Sequence, residues 1–338
     1  MSAARPVIVV TSINAPNQAL RSIARGAVAH DHGFIVVGDT KSPPDFHLDG
    51  CSYYDVPAQL GAGIAFASAC PTRHYSRKNI GYLLAFERGA DLVIETDDDN
   101  LPRAEFFAPR TRRLTTAAVT DAGWVNVYRY FSTTNIWPRG LPLEEIRNAP
   151  PAFEGLPVTP QDCPIQQGLA DDNPDVDALF RLMNPLPQYF RGDRSVALGR
   201  GSLCPFNSQN TTWWPDAYPL MYLPSYCSFR MTDIWRSFVA QRIAWENGWS
   251  VLFHQPTVWQ ERNEHDLMRD FADEIPGYLK NATIGKVLEA LDLEAGREAI
   301  PDNMRRCYRA LVPVGAVEER ELTLLDGWLE GVERYAAR

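Results

Sequence analysis

The sequence lacks both a dense set of cysteines and an excess of positive charge. Its six cysteines are scattered over 338 residues without a CxxC pair, so neither a zinc ribbon nor a disulfide scaffold is expected. Because nucleic-acid binders usually present a basic face, the net charge of −9 argues against nucleic acid as a partner. Because the cysteines form no disulfide framework, we expect reduced thiols in a cytoplasmic protein. A local basic pocket for a small anion remains compatible with this composition.

Long apolar runs are also lacking. No stretch approaches the roughly 20 apolar residues of a membrane span, and the segment after Met1 reaches a strand-like run without the apolar region of a signal peptide. Peripheral contact with a membrane stays open. With 45% apolar and 11% aromatic residues, the chain is expected to fold around a large core.

The N-terminal part alternates between strand-like and helix-like patterns. Short β-branched runs at Val7 to Val10 and Phe34 to Val37 are typical of strands buried on both faces of a parallel sheet. Helical spacing follows each of them, and a strand is predicted at Asp91 to Glu95. The order strand, helix, strand, helix, strand predicts a Rossmann-like α/β half.

The rest of the chain is less periodic until its end. We predict a strand at Trp124 to Phe131, a proline-rich segment at 138–164, a helix at Ile234 to Asn247 and a strand at Ser250 to His254. Beyond Asp266 the chain is predicted to be helical. Three parts result: 1–135, 136–265 and 266–338. The expected core positions of the last part are Leu267, Phe271, Leu279, Val287, Leu291, Leu311, Leu322, Leu325 and Leu329.

An acidic run follows the strand predicted at Asp91 to Glu95. In open α/β sheets ligands bind beyond the carboxyl ends of the strands, where Asp97, Asp98 and Asp99 are expected to lie. Closely packed carboxylates repel one another, by about 4 kcal/mol per pair at a separation of about 4 Å and an effective dielectric of about 20. A hard divalent cation such as Mg²⁺ removes that cost. The alternative is a solvated acidic turn or helix cap.

Two further clusters accompany the acidic run. Arg77 and Lys78 open a predicted helix, where cations oppose the macrodipole unless they bind an anion such as phosphate. The alternative is that both side chains extend into water. Polar loops at Thr11 to Asn14 and Gly38 to Lys41 end two neighbouring strands and could bind a base and a ribose, or serve as ordinary turns and caps.

These segments together resemble the STELLO family of glycosyltransferases. The resemblance spans about residues 6 to 280 and rests on an ordered set of motifs, which are Val9 to Pro16, Val36 to Asp39, Tyr75 to Tyr82, Glu95 to Asn100, Pro164 to Leu169, Pro174 to Asp177, Asp233 to Arg236, His265 to Asp266 and Arg269 to Phe271. More distantly, the layout is similar to the reversibly glycosylated polypeptides, which are UDP-arabinopyranose mutases of plants.

The resemblance implies a GT-A fold, a mostly parallel sheet with flanking helices, that binds a nucleotide-sugar. It implies nucleoside contacts from Thr11, Ser12, Asn14 and Asp39, and diphosphate contacts from Arg77, Lys78 and Asn79. Asp97 and Asp99 would bind the metal and the ribose, while Asp98, the middle residue of a DxD motif, would face the sugar. A late histidine, His265, would be a third metal ligand, with His254 behind it.

The acceptor side is predicted from fewer residues. An inverting transfer needs a carboxylate base, and Asp233 at the start of a helix is the first choice, although it could equally be an N-cap. Asp171, Asp172 and Asp193 are reserves, and a retaining transfer would not need this base. An aromatic cluster could stack on acceptor sugars or belong to the core, and its members are Trp213, Trp214, Tyr218, Tyr222 and Tyr226.

The functional hypothesis is a metal-dependent glycosyltransferase. It would use Mn²⁺ or Mg²⁺ and move a sugar from a nucleoside diphosphate donor, UDP-linked, to a glycan or lipid-linked acceptor. The alternatives are a nucleotide-sugar pyranose/furanose mutase and a non-catalytic scaffold with the same fold.

Overall fold

The computed structural model describes residues 5–261 and 266–336. Its strands are β1 (Pro6–Thr11), β2 (Gly33–Val37), β3 (Ser52–Tyr54), β4 (Leu92–Thr96), β5 (Asn100–Pro102), β6 (Arg113–Val119), β7 (Gly123–Trp124), β8 (Val158–Asp162), β9 (Ile165–Asp171), β10 (Ser195–Leu198), β11 (Ser202–Leu203), β12 (Asn210–Trp213) and β13 (Val251–Gln260). Its α-helices are α1 (Gln18–Ala29), α2 (Val56–Gly61), α3 (Ala65–Ala69), α4 (Lys78–Glu87), α5 (Tyr128–Phe131), α6 (Ala178–Met183), α7 (Thr232–Glu246), α8 (Leu267–Glu289), α9 (Ile300–Val314) and α10 (Glu321–Ala336).

One large sheet forms the centre of the molecule. Its strand order is β3-β2-β1-β4-β12-β9-β13-β10-β6-β8, with β5 paired to β13. The first four strands are parallel, and β12 runs antiparallel to both β4 and β9. Because β1, β2 and β4 are parallel, their carboxyl ends meet at one edge of the sheet, as the strand and helix order predicts.

The sequence of β1 explains why this half is covered on both faces. Val7 and Val9 pack into one hydrophobic cluster, while Ile8 and Val10 pack into another on the opposite face. This is the period of two that a strand imposes. On the first face α4 approaches closely, since a Cβ on Gly81 would lie 2.6 Å from Val9. The predicted Rossmann-like half is confirmed.

Two elements differ from the sequence prediction. The strand expected at Trp124 to Phe131 is wrong, because β7 ends at Trp124 and the chain then turns into α5. The strand expected at Ser250 to His254 is longer, since β13 continues to Gln260 along β9 and β5. Helix α7 starts at Thr232 and is buried on nearly all sides. Its sequence therefore lacks the single apolar face whose first and last residues would indicate where the helix begins and ends.

The mainly helical C-terminal part is confirmed. Helix α10 packs on α3 and α4, and its Trp328 contacts Tyr82 and Phe86 edge to face. Leu311, Leu325 and Leu329 are buried as expected, but Leu279 is 75% exposed and is not a core residue. The remaining expected core leucines, with Phe271 and Val287, are partly buried.

The structure agrees with the predicted α/β class, with helices flanking a sheet and a helical part at the end. Among the described residues, no helix is both long enough and apolar enough to cross a bilayer. The boundaries at 135 and 265 stay a prediction.

Candidate functional site

A cavity of about 910 Å³ opens at the carboxyl edge of β1, β2 and β4. Its donor wall, as we call it, consists of the loops after these three strands and the loop before α4, with Thr11, Ser12, Ile13, Asn14, Val37, Gly38, Asp39, Lys41, Arg73, His74, Tyr75, Arg77, Asp97, Asp98 and Asp99. Its acceptor wall consists of Arg139, Asp175, Arg181, Gln209, Phe229, Arg230, Asp233, Gln260, Arg269 and Asp273. Most of the residues predicted from the sequence are therefore brought together in one cavity.

Asp97 is held by a buried lysine. Its Oδ1 accepts hydrogen bonds from Lys78 Nζ at 2.9 Å and from Tyr75 OH at 2.6 Å. Lys78 is fully buried and also donates to the carbonyl oxygens of Thr96 and Ser208, at 2.6 and 3.1 Å. Lys78 is thus an internal counter-ion for Asp97. The predicted contact of Lys78 with a diphosphate is corrected, because its ammonium group lies inside the protein and its donors are used there.

Asp98 ties the acidic run to the loop after β1. Its Oδ2 accepts from Ser12 Oγ at 2.5 Å and from Asn14 Nδ2 at 2.9 Å, and its backbone carbonyl accepts from Asn17 Nδ2 at 2.6 Å. Burial raises the pKa of Asp98, although the two side-chain hydrogen bonds oppose that shift. Ser12 and Asn14, predicted as nucleoside ligands, therefore line the cavity with their side chains bound to Asp98.

Asp99 carries the least satisfied carboxylate of the run. Its Oδ2 accepts from Gln260 Nε2 at 2.9 Å, but its Oδ1 is buried without a hydrogen-bond partner among the described residues, as is Gln260 Oε1. Burial, followed by the charge of Asp97, raises the pKa of Asp99 to about 7. Carboxylate and amide oxygens are the hard ligands that a divalent cation prefers, and here one unpartnered oxygen of each kind belongs to two side chains that are hydrogen-bonded to each other.

The residues present fit a cation only with help from a substrate. In the part of the chain that the structure describes, no group of three or more His, Cys, Asp or Glu side chains is arranged to hold a metal ion. Mg²⁺ is commonly held by one or two carboxylates together with substrate phosphates and water. Asp99 suits that pattern, whereas Asp97 is already neutralised by Lys78. His265 lies outside the described residues, and His254 does not line the cavity.

Arg77 and Asn79 serve the fold rather than the cavity. The Arg77 guanidinium is buried and donates from Nε to Gln59 Oε1 at 2.8 Å and from NH1 to the Cys70 carbonyl at 2.9 Å. Asn79 exchanges two hydrogen bonds with the backbone of Leu223. The predicted diphosphate contacts of Arg77 and Asn79 are therefore corrected, since internal acceptors take up these donors.

Lys41 and Arg73 supply the exposed positive charge on the donor wall. Neither has a hydrogen bond or an ion pair with any described residue. Arg73 has a φ of 57°, a left-handed backbone conformation that is uncommon for residues other than glycine. The motifs did not point to Arg73, because an isolated arginine in a loop has no distinguishing pattern.

Asp39 joins the loop after β2 to the loop before α4. Its Oδ2 accepts from the backbone N–H of His74 at 3.1 Å, and Ser42 Oγ bridges the Asp39 backbone N–H and the Ser12 carbonyl at 2.9 and 2.8 Å. These contacts fix three loops relative to one another. Asp39 itself remains half-buried at the cavity, as a nucleoside ligand would be.

Asp233 lies in the cavity but does not have the environment of a general base. Its carboxylate accepts two hydrogen bonds from Arg139, at 3.1 and 3.0 Å, and one from the Ser208 N–H at 3.2 Å. Arg139 outweighs the effect of burial and lowers the pKa of Asp233 to about 2. Because a base must hold a free lone pair at a suitable pKa, we correct this assignment: Asp233 anchors Arg139, which also binds Asp175.

The reserve carboxylates lie outside the cavity. Asp171 binds Arg103, Asp193 binds Arg191, and Asp172 pairs through its backbone with Gln188. The acceptor wall has another carboxylate, Asp273 on α8. Its side chain is 44% exposed, and Arg269 Nε is 4.0 Å away.

The aromatic cluster belongs to the core. Trp213, Tyr218 and Tyr222 are at most 1% exposed, so they cannot stack on an acceptor sugar. Trp213 Nε1 donates to Glu95 and Tyr218 OH to the Ala90 carbonyl, each at 2.8 Å. Trp214 and Tyr226 are partly buried and do not line the cavity. Phe229, which is 52% exposed, lines the cavity, as do the less exposed rings of His74 and Tyr75.

Two solved structures align with 83% of this chain. Both are glucosyl-3-phosphoglycerate synthases of Mycobacterium tuberculosis, one of them in complex with phosphoglyceric acid. The complex aligns with a TM-score of 0.43 at 12% identity over 83% of this chain and 81% of the other. The second aligns with a TM-score of 0.41 at 11% identity over 83% and 82%.

Sequence comparison agrees with the motifs. The family model of the STELLO glycosyltransferases matches residues 230–335. Two Arabidopsis thaliana proteins are similar over 74% of this chain: probable glycosyltransferase STELLO2 at 28% identity over 270 residues, and probable glycosyltransferase STELLO1 at 26% over 279. The aligned region spans 35% of the length of either relative. The chain is thus STELLO-like, as its ordered motifs predicted, and residues 230–335 carry the sequence pattern of the STELLO glycosyltransferases.

Proposed function

We propose that this chain is a metal-dependent glycosyltransferase that takes its sugar from a nucleoside diphosphate donor. The observation that carries the proposal is the single cavity in which Asp97, Asp98 and Asp99 meet the loops after β1 and β2. A nucleotide-sugar has a polar nucleoside, a dianionic diphosphate and a sugar. The donor wall offers polar loops, two exposed cations and a carboxylate run in one cavity at the edge of the sheet.

On the donor side, each part of the substrate has a matching group. The nucleoside would lie against Thr11, Asn14 and Asp39, and the diphosphate near Lys41 and Arg73. Asp99, with its unpartnered Oδ1, would hold Mn²⁺ or Mg²⁺ together with the diphosphate. When bound, the cation would stabilise the charge that develops on the leaving diphosphate. UDP is the expected nucleotide because the resemblance favours it.

Asp97 would have a different task from Asp99. Because Lys78 neutralises its charge and fixes its Oδ1, Asp97 is suited to accept a hydrogen bond from a ribose hydroxyl. The buried ammonium keeps the run at a lower net charge before any cation arrives. This reduces the repulsion that three adjacent carboxylates would otherwise suffer.

On the acceptor side, Asp273 is the carboxylate best placed for an inverting transfer. It lines the cavity, it is partly exposed, and the nearest cation among the described residues, Arg269, is at the 4.0 Å limit of an ion pair. It could therefore take the proton from an acceptor hydroxyl, a role that the two-pronged bond to Arg139 denies to Asp233. The acceptor class is a glycan or a lipid-linked molecule. Phe229 is the exposed ring at the cavity on which a sugar could stack.

The test is release of the nucleoside diphosphate from a panel of nucleotide-sugars with Mn²⁺ present. We expect turnover that is lost in Asp99→Asn and kept in the control variant Asp326→Asn. The Asp326 carboxylate is 51% exposed, is paired with Arg305 of α9, and lies away from the cavity. Full activity of Asp99→Asn would remove the metal assignment. A ring-contracted product without any acceptor would replace the proposal with a mutase, and failure to bind any nucleoside diphosphate in calorimetry would replace it with a scaffold.

A further inference from the structure

The loop before α4 places one imidazole, that of His74, on the donor wall of the cavity. The backbone N–H of His74 binds Asp39 on the nucleoside side. Its chain neighbour Tyr75 binds Asp97 through the phenol hydroxyl. A donor that reached from Asp39 to the acidic run would pass His74 with its diphosphate.

The hydrogen bonds of Nδ1 determine the tautomer of His74. Nδ1 accepts from the backbone N–H of Ser76 at 3.0 Å, and a backbone N–H can only donate. Ser76 Oγ lies 2.8 Å from the same nitrogen and itself accepts from Ser225 Oγ at 2.6 Å, so the Ser76 hydroxyl hydrogen is available for Nδ1. Nδ1 is therefore unprotonated. The neutral ring must carry its hydrogen on Nε2.

Nε2 of His74 is left without an internal partner among the described residues, and it is not one of the buried polar atoms without a partner. His74 lines the cavity, and Phe229 packs against the ring edge to face, with centroids 5.7 Å apart. The ring is thus held by Ser76 on one side and Phe229 on another, and its Nε2–H is a free hydrogen-bond donor, which no described residue uses, on a residue that lines the cavity.

We propose that His74 Nε2–H binds a phosphate oxygen of the donor diphosphate and so positions the nucleotide between Asp39 and the acidic run. This rests on the proposed function, because it names a ligand of the same cavity. The class of ligand follows from the chemistry: a neutral N–H donor beside Lys41 and Arg73 complements an anion. Burial also lowers the pKa of His74, in keeping with a neutral ring.

Two amide substitutions separate binding from structure. In His74→Asn the side-chain oxygen takes the place of Nδ1, so the bond from the Ser76 N–H is kept while the Nε2 donor is lost. In His74→Gln the longer amide reaches the place of Nε2, so the donor is kept while the bond from Ser76 is lost. A role in local structure and a role in phosphate binding therefore predict opposite effects.

The measurement is calorimetry with UDP, GDP and ADP, and with the matching nucleosides, in the presence of Mn²⁺, together with the thermal midpoint of each variant. We expect His74→Asn to bind the preferred diphosphate about 10- to 100-fold more weakly, with nucleoside affinity and thermal midpoint unchanged. His74→Gln is expected to keep diphosphate affinity within a few-fold and to melt at a lower temperature.

The outcomes that overturn the inference are distinct. If His74→Asn binds the diphosphate as the wild type does and His74→Gln does not, His74 only shapes the loop, and the proposed function is unaffected. If the wild type binds none of the three diphosphates, the proposed function fails and the inference fails with it.

Discussion

Replacing Asp99 with asparagine is expected to make the protein more stable while removing the proposed metal ligand. The carboxylate is largely buried, its Oδ1 has no partner among the described residues, and Asp97 and Asp98 add like charge. An asparagine at this position could donate from Nδ2 to Gln260 Oε1, the second unpartnered oxygen. The substitution thus removes a costly charge and satisfies a neighbouring acceptor.

The magnitude follows from the pKa of Asp99. The folded state raises it from 3.8 to about 7. Between these values the folded protein binds more protons than the unfolded chain, so stability falls as the pH rises from about 4 to about 7. About three pKa units correspond to about 4 kcal/mol of destabilisation above pH 7, as an upper value. The expected gain for Asp99→Asn at pH 8 is therefore about 2 to 4 kcal/mol, and it should shrink towards pH 4.

The assay is thermal denaturation with EDTA at pH 8 and at pH 4.5, and with Mn²⁺ at pH 8. For 338 residues a gain of 1 kcal/mol raises the midpoint by about 1.5 °C, so Asp99→Asn should melt about 3 to 6 °C higher than the wild type in EDTA at pH 8. Mn²⁺ should raise the midpoint of the wild type and of Asp326→Asn but not of Asp99→Asn. A midpoint for Asp99→Asn below that of the wild type in EDTA would show that the Asp99 carboxylate does not destabilise the fold.

The other substitutions separate structural cations from binding cations. Lys78→Met should cost about 2 to 3 kcal/mol in urea unfolding, because it leaves the Asp97 carboxylate, which is 29% exposed, without its counter-ion and the Thr96 and Ser208 carbonyls without a donor; a midpoint equal to that of the wild type would contradict the internal pairing. Arg73→Ala should weaken nucleoside diphosphate binding about 10-fold at unchanged stability. Arg77→Ala, in contrast, should unfold at a lower urea concentration, because it removes the guanidinium that binds Gln59. If calorimetry shows weaker diphosphate binding for Arg77→Ala and not for Arg73→Ala, Arg77 is restored as the diphosphate ligand. Asp273→Asn should bind the donor normally and lower transfer about 100-fold or more, and unchanged turnover would exclude it as the base.

The position of the acidic run could be predicted from the sequence because local patterns determine it. Short β-branched runs mark β1 and β2, a buried strand precedes Asp97, and parallel strands bring their carboxyl ends to one edge. These steps need only neighbouring residues and the rules of α/β folds. The end of β13 was harder, because its continuation depends on pairing with β9 and β5.

The roles of the charged side chains could not be predicted, because they depend on distant partners. Arg77 meets Gln59, 18 residues away, and Lys78 meets the Ser208 carbonyl, 130 residues away. Asp233 meets Arg139 across 94 residues. At the start of a helix a buried cation and a phosphate-binding cation look alike in sequence. Only the packing around them shows which acceptor each one uses.

We propose that Asp99 and the loops after β1 and β2 hold a metal ion and a nucleoside diphosphate together. A crystal soaked with UDP and Mn²⁺ examines both ligands at once. We expect an anomalous manganese peak within coordination distance of an Asp99 carboxylate oxygen and of the diphosphate, with the nucleoside against Thr11, Asn14 and Asp39. A nucleotide bound elsewhere, or a manganese peak away from the acidic run, would contradict it.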